Sequence, residues 1–294
     1  MRCVICGHDR SWSIPSQHDP RVDAWRAEAG DRGAHEWRLC RRCGNAYPSA
    51  QPDLGILAKY WEANRTIDDP ARAEAAWAER RRIARLGAER ALAVYAPLAA
   101  RSPGRFLDIG CGLGLTVRAF ADAGWEALGV DADPATRRFH EELGIASRIG
   151  QVETAELDGG WDIVHSAHAI YFVTDPMGLL RRLRALLAPD GLLAITVADF
   201  MTSGNAAGPH YAHSFFPTGQ SMAYAIAVAG FRVVGVTRIR GSVFIAARIG
   251  EGPKPPVSPW LIRLGHETLL VRHRLIGRPM AALRGLAKRL LGRA

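Results

Sequence analysis

Four cysteines stand in two copies of Cys-x-x-Cys-Gly, CVICG with Cys3 and Cys6 and CRRCG with Cys40 and Cys43. Two such knuckles present four soft thiolates to one tetrahedral ion, and each glycine lets backbone amides turn toward sulfur. The expected ion is a structural Zn2+, because protein fills all four positions and leaves none open for catalysis. Two disulfides or free thiols are the alternatives, and a chain of 294 residues in a reducing compartment needs no disulfide staples.

A second group lies in RFLDIGCGLGLTVRAFADAGWEALGVDADP, residues 105–134. Asp108 precedes Gly110, Gly112 and Gly114, and Asp131 ends the next apolar run. Glycines remove Cβ atoms where backbone must approach a ligand, and Asp131 can accept hydrogen bonds from two ribose hydroxyls. The spacing is G-x-G-x-G with an acid in front, whereas a dinucleotide site asks for G-x-G-x-x-G. An acid beside the turn repels pyrophosphate but suits the ammonium and sulfonium groups of S-adenosylmethionine.

The third group is imidazole and phenol. His165, His168 and Tyr171 lie in VHSAHAIYFVTDP, and His210, Tyr211 and His213 in DFMTSGNAAGPHYAHSFF, residues 199–216. An oxygen or nitrogen acceptor must shed a proton during alkylation, so His168, His210, His213 and Tyr171 are candidates to orient or deprotonate it. In an extended strand residues three apart face opposite ways, so His165 and His168 do not share a metal ion, and His165 is assigned to strand packing. An ordinary solvated loop is the alternative reading of 199–216.

The elements that must position these groups follow from patterning as far as Asp131; beyond it their placement is what a family resemblance implies. Phe106–Ile109, a glycine turn, a helix and a strand ending at Asp131 form a βαβ half of a doubly wound sheet, which binds ligands at its carboxyl strand ends. RIGQVE (148–153) supplies the next strand, with Gln151 at its end; WDIVHSAH is a fourth strand. TDPMGLLRRLRALLAPDG is a helix capped by Thr174 or Asp175, with a turn at Pro189-Asp190-Gly191 into LLAITV. AGFRVVGVTRI and GSVFIAAR form a closing antiparallel hairpin. Residues 54–100 read as helical, with breaks near 68–70 and at Pro97. Tyr60 and Trp61 of this connector either close over a cofactor or pack it.

At this point the sequence resembles the class I S-adenosylmethionine-dependent methyltransferases, whose first motif is D-x-G-x-G-x-G and whose second is the acid closing the next strand. The resemblance implies an α/β fold: a doubly wound seven-stranded Rossmann-like sheet. It assigns Asp108, Gly110, Gly112, Gly114, Asp131 and Gln151 to the cofactor. Gln151 replaces the usual adenine-binding Asp but keeps an acceptor carbonyl. With the knuckles in front, the order resembles bacterial methyltransferases of glycan and natural-product clusters, sugar C-methyltransferases among them, in which the zinc module implies substrate handling. Many such relatives carry Glu-His where Tyr171 and Phe172 stand here, so the most transferable catalytic pair is missing.

The expected plan is a zinc-binding module (1–52), a helical connector (53–102), a methyltransferase domain (103–250), and a Pro-rich linker with a basic amphipathic helical tail (251–294). From Pro253 to Ala294 nine Lys and Arg face one acid, Glu267, a net +8 that leaves about +1 for everything before it. Met280, Leu283, Leu286, Ala287, Leu290 and Leu291 line one side of the tail, and Arg284, Lys288, Arg289 and Arg293 the rest. Packing on the protein itself or on a second copy ranks first for this tail, an anionic membrane surface second and RNA third. A chain without a basic-then-apolar leader or an apolar run of about 18 residues is expected in the cytoplasm.

The expected activity is methyl transfer to a small molecule: a sugar, nucleotide-sugar or other glycan or natural-product intermediate. An RNA methyltransferase is the runner-up, since some rRNA guanine methyltransferases also join a zinc module to this core. Against it, no basic stripe with interleaved aromatics is visible beside the cleft in the sequence. A scaffold protein that has lost catalysis is the third reading, prompted by the missing Glu-His.

Overall fold

A computed structural model describes residues 2–14, 16, 19–31, 35–65, 70–198 and 209–272. The tail helix expected around 280–293, the side chain of Trp61 and residues 199–208 of the histidine loop lie outside the described residues.

The chain opens with β1 (Ser11–Ile14), α1 (Pro20–Glu28), β2 (Trp37–Cys40) and β3 (Ala46–Pro48). The three strands form a small antiparallel sheet in the order β1-β2-β3. Two connector helices follow, α2 (Leu54–Arg65) and α3 (Pro70–Tyr95), the latter ending where Pro97 enters a short 3-10 turn.

The main domain then runs β4 (Arg105–Ile109), α4 (Leu115–Asp122), β5 (Glu126–Asp131), α5 (Arg137–Leu143), β6 (Ala146–Ile149), β7 (Trp161–Ala167), α6 (Pro176–Leu186), β8 (Leu187–Ala198), α7 (Gly219–Val228), β9 (Phe231–Ile239) and β10 (Ser242–Ile249). A last helix, α8 (Pro259–Arg272), returns to the amino-terminal sheet.

Seven strands lie in the order β6-β5-β4-β7-β8-β10-β9; the first five pair in parallel, and β10 is antiparallel to both neighbours. This is the expected doubly wound sheet with its closing hairpin. The strand order reverses between β4 and β7, which opens a crevice at their carboxyl ends.

Central strands covered on both faces need apolar side chains throughout, and β8 is buried continuously from Gly191 to Val197. One face packs Leu107, Ile109 and Val164 beneath Leu179, Leu180 and Leu183 of α6 and Met222 and Ile226 of α7. On the other face Phe106, Ile163 and Phe244 meet Tyr95 of α3 and Phe120 of α4. Phe106 and Phe120 stack with centroids 3.6 Å apart, and Phe120→Ala would cost about 3–5 kcal/mol.

Asp175 caps α6, accepting from the Gly178 N–H at 2.7 Å, with Pro176 in the first turn as expected. Pro189-Asp190-Gly191 differs from expectation. Instead of a separate turn it lies within β8, and the pairing with β7 shifts from Trp161↔Leu187 to Ile163↔Leu192. The extra residues bulge between two strands, which keeps the chain extended while displacing its register.

The amino-terminal module is not a detached bead. Cys3, Ile5, Cys40, Cys43 and Tyr47 belong to the same buried cluster as Met222 and Ala225 of α7.

Candidate active site

The glycine turn closes β4. Gly110, Gly112 and Gly114 have φ of +71°, +54° and +77°, which side chains other than glycine rarely tolerate. A Cβ on Gly110 would overlap that of Ala169, whereas Gly112 faces open space. The Gly112 N–H donates to Asp131 Oδ2 at 2.7 Å and the Asp133 N–H to Oδ1 at 2.9 Å. Each carboxylate oxygen keeps a further lone pair for a ligand hydroxyl. Burial raises the Asp131 carboxyl above its usual range, against the pull of those two backbone donors. The Gly150 N–H donates to the Asp131 carbonyl at 2.8 Å, so Gln151, exposed just past β6, stands beside the end of β5.

Two histidines that the sequence left out of the site support this turn. His140 of α5, 1% exposed, donates Nε2–H to the Gly112 carbonyl at 2.8 Å. His165 places Nδ1 2.7 Å from Asp108 Oδ1, with the two residues 1% and 2% exposed. Strand packing was therefore too small a role for His165. Asp108 and His165 are register partners on adjacent parallel strands, so their side chains rise on the same face and meet. A buried carboxylate needs such a donor, and removing it would leave the charge unpaired.

Beyond β7 the chain breaks from extended geometry: His168 has φ +55°, an uncommon conformation for a residue with a side chain. Its backbone N–H donates to the Thr196 carbonyl at 2.9 Å. His168 Nδ1 lies 3.1 Å from Tyr171 Oη, which accepts from the Ala198 N–H at 2.5 Å. With that lone pair engaged, the phenol donates to Nδ1, and the neutral imidazole carries its proton on Nε2. His168 keeps open surface yet is crowded by protein on its other sides, as on the floor of a cleft. That crowding, then His165 nearby, pushes its imidazole down to about 4.

The loop after β8 brings the other candidates alongside. His210 and His213 have ring centroids 3.6 Å apart, and Tyr60 of α2 stacks on His210 at 5.6 Å. His213 stacks on Phe172 at 5.3 Å and meets Tyr171 edge-on at 5.5 Å. Both Nδ1 atoms accept from backbone, His213 from the His210 N–H and His210 from the Ala212 N–H. Burial holds His210 down to about 4 and His213 well below its ordinary value. The structure thus brings His168, Tyr171, His210 and His213 together as a wall of neutral imidazole and aromatic rings.

That wall is pinned from the amino-terminal module. Ala46 and Phe216 exchange both backbone hydrogen bonds, at 3.2 and 2.8 Å, which extends the small sheet by one bridge into the histidine loop. The Asp53 N–H donates to Tyr211 Oη at 2.9 Å. Ser214 N–H donates to the Tyr171 carbonyl at 2.7 Å, and its hydroxyl donates to the Tyr171 and Val173 carbonyls. Nothing in the spacing of His210 and His213 signals these anchors.

In the module, Cys3, Cys6, Cys40 and Cys43 gather their Sγ atoms within 4.8 Å of one another. Cys3 and Cys43 are 3.5 Å apart and Cys6 and Cys40 3.6 Å, too far for disulfides. A tetrahedron with zinc–sulfur arms of about 2.3 Å has edges of about 3.8 Å, so the donor set fits Zn2+ in size and chemistry. The Arg42 N–H donates to Cys40 Sγ, and Asn45 Nδ2 donates both to Cys43 Sγ and to the Ser221 carbonyl in α7. Cys111, inside the glycine turn, is buried, and that burial pushes its thiol up.

Residues 77–236 match the family described as a methyltransferase domain. The chain belongs to the methyltransferase domain family. Curated relatives include the ubiquinone biosynthesis O-methyltransferase of Bradyrhizobium sp. (strain ORS 278), 34% identical over 101 residues, 32% of this chain and 40% of that protein. That of Parvibaculum lavamentivorans is 30% identical over 155 residues, 46% of this chain and 61% of that protein. Matches to the first such relatives thus span about 40% of their length.

Similar solved structures include a TehB-like SAM-dependent methyltransferase from Corynebacterium glutamicum, 17% identical with a TM-score of 0.46, covering 62% of this chain and all of that one. A SAM-dependent methyltransferase from Mesorhizobium loti is 16% identical with a TM-score of 0.45, covering 54% and 97%. Within the methyltransferase domain, the glycine turn follows β4, Asp131 ends β5, and His168 and Tyr171 follow the carboxyl end of the neighbouring strand β7.

Proposed function

We propose that this chain transfers a methyl group from S-adenosylmethionine to a small-molecule acceptor, of which a sugar, nucleotide-sugar or other glycan or natural-product intermediate is the favoured class. The observation that carries the reading is that the Gly110 turn packs against Ala169, next to His168, so that two unlike banks adjoin at the carboxyl ends of the paired strands β4 and β7. One offers an acidic, backbone-lined cradle, and the other uncharged rings on which the face of a ring-shaped acceptor can stack.

When bound, S-adenosylmethionine supplies a sulfonium methyl open to in-line displacement. In the proposed roles Asp131 accepts from ribose hydroxyls, Gln151 accepts from the adenine amino group, and the Gly110-x-Gly112-x-Gly114 turn lets backbone close on the methionine part. Asp108 gives the turn its negative character, and His165 positions Asp108 through the 2.7 Å bond. An imidazole near 4 is a weak base at neutral pH, so His168, with its proton on Nε2, acts chiefly to hold the acceptor in line. His210, His213 and Tyr171 complete the wall that orients it. The module comprising 1–52 holds a structural Zn2+ and so shapes the acceptor bank, the connector (53–102) adds Tyr60, and 103–250 carries the cofactor bank.

Titration calorimetry with S-adenosylmethionine, followed by transfer of a labelled methyl to a panel of nucleotide-sugars, tests this reading. Binding by the wild type, weakened at least about tenfold in Asp131→Ala, is expected from the loss of charge-assisted hydrogen bonds. A folded wild type that does not bind would leave the scaffold reading in its place.

A second reading, an RNA acceptor, gains one observation that sequence order concealed. Arg80 and Arg138 lie over the Trp77 ring at 5.0 and 5.7 Å, and Arg138 and Arg81 over Phe139 at 4.5 and 5.8 Å. The residues of this cluster come from α3 and α5, so neither segment alone displays it. Arg81 is also paired with Glu142 at 3.5 Å, which lowers the net charge offered to phosphates. A salt-sensitive tRNA gel shift lost in Arg138→Ala would favour RNA.

A further inference from the structure

Helix α8 has two apolar faces. Ile262 and His266, each 2% exposed, turn inward, and Ile262 packs with Trp37, Leu39 and Phe216 against the amino-terminal sheet. Trp260, Leu261, Leu264 and Val271 are 61%, 59%, 44% and 55% exposed. At 100° per residue these four fall within an arc of about 100°, opposite Ile262 and His266. One 14-residue helix thus holds four of the ten large hydrophobic side chains exposed among the described residues.

The sequence from residue 253 onward carries charge of nearly one sign. The only acid after Glu251 is Glu267, and Arg263 of the same helix binds it at 2.8 Å. Lys254 precedes the helix, Arg272 ends it, and the sequence continues with Arg274, Arg278, Arg284, Lys288, Arg289 and Arg293. We propose that α8 docks on an anionic lipid surface, with Trp260, Leu261, Leu264 and Val271 entering the headgroup boundary and the net +8 of residues 253–294 favouring anionic headgroups.

Charge selects this occupant over the others. A second copy would set a net +8 segment against its own like. RNA would be met by indole and aliphatic side chains at the centre of the patch and by bases only at its rim. A bilayer interface accepts both classes at once: tryptophan and leucine at headgroup depth, and lysine and arginine drawn to anionic headgroups. No described helix is long and apolar enough to cross a membrane, so the contact lies along the surface.

Flotation of the full-length, metal-loaded protein tests the proposal, using vesicles of phosphatidylcholine alone and vesicles enriched in phosphatidylglycerol. Binding to the anionic vesicles only, reduced by salt, is expected. Trp260→Ser/Leu264→Ser and Arg284→Gln/Arg289→Gln should each weaken it at least about tenfold, with S-adenosylmethionine binding and circular dichroism unchanged. Flotation with neither vesicle overturns the proposal, as does undiminished flotation of the Trp260→Ser/Leu264→Ser protein. A lipid-free dimer that this double substitution dissolves would assign the face to a second copy and likewise overturn it.

Discussion

The two proposed banks are built in opposite ways. The proposed cofactor bank comes from one stretch, residues 105–151, in which β4, the glycine turn, α4, β5, α5 and β6 follow one another and place Asp108, the three glycines, Asp131 and Gln151. The proposed acceptor bank draws Tyr60 from the connector, His168 and Tyr171 from the end of β7, His210 and His213 from the loop after β8, and its anchor Ala46 from the amino-terminal sheet. The difference teaches which side of a site a sequence motif can reveal. A local motif fixes the first bank, and tertiary contacts over long separations fix the second.

Metal removal should separate the banks most sharply. A structural zinc site contributes roughly 10 kcal/mol or more of folding free energy, so a chelator should dissolve the module and release the Ala46–Phe216 bridge. The expected result is collapse of the distinct His210 and His213 imidazole signals in NMR. Affinity for S-adenosylmethionine should stay within about threefold, since among the described residues no hydrogen bond ties Asp108, the three glycines, Asp131 or Gln151 to the module. Equal loss on both banks would break the comparison.

Acid should act on the acceptor side next. His35, His168, His210 and His266 are each held down to about 4, with burial the main cause, and His213 lies well below its ordinary value. A folded value below the unfolded one gives stability that is full above the ordinary histidine value of 6.5 and is lost as pH falls toward 4. Asp131 runs in the other sense, because its raised carboxyl adds stability at low pH that is lost as pH rises. Urea midpoints should therefore fall steadily between pH 6.5 and 4, and a flat profile would contradict the depressed imidazoles.

Much of this was legible in the sequence. The Cys-x-x-Cys-Gly pairs, the glycine turn, the strand end at Asp131 and the succession of strands and helices could be read because each depends on residues near one another or on regular alternation. His165 was misjudged because its partner, Asp108, is 57 residues away and becomes a neighbour only when β4 and β7 pair. His140 was missed because nothing in RRFHEEL marks an imidazole that will reach the Gly112 carbonyl. The aromatic and arginine cluster at Trp77 and Phe139 was hidden for the same reason, each helix holding half of it.

Substitutions at single side chains give smaller effects. His168→Gln should lower methyl transfer about tenfold with cofactor affinity intact, the loss of one aimed hydrogen bond. Gln151→Ala should weaken S-adenosylmethionine about threefold and leave the acceptor bank's NMR signals in place, since Gln151 is exposed and offers a single neutral acceptor. A reversed pattern, with His168 governing cofactor affinity and Gln151 the acceptor, would exchange the two banks.

The central claim is that these banks serve one reaction with S-adenosylmethionine on the residue 105–151 side. Calorimetric titration of the metal-loaded wild type with S-adenosylmethionine, repeated on Asp131→Ala, tests it most directly. One site per chain, weakened at least about tenfold by the substitution, is the predicted result. No binding to the folded wild type, or binding indifferent to Asp131, would contradict it.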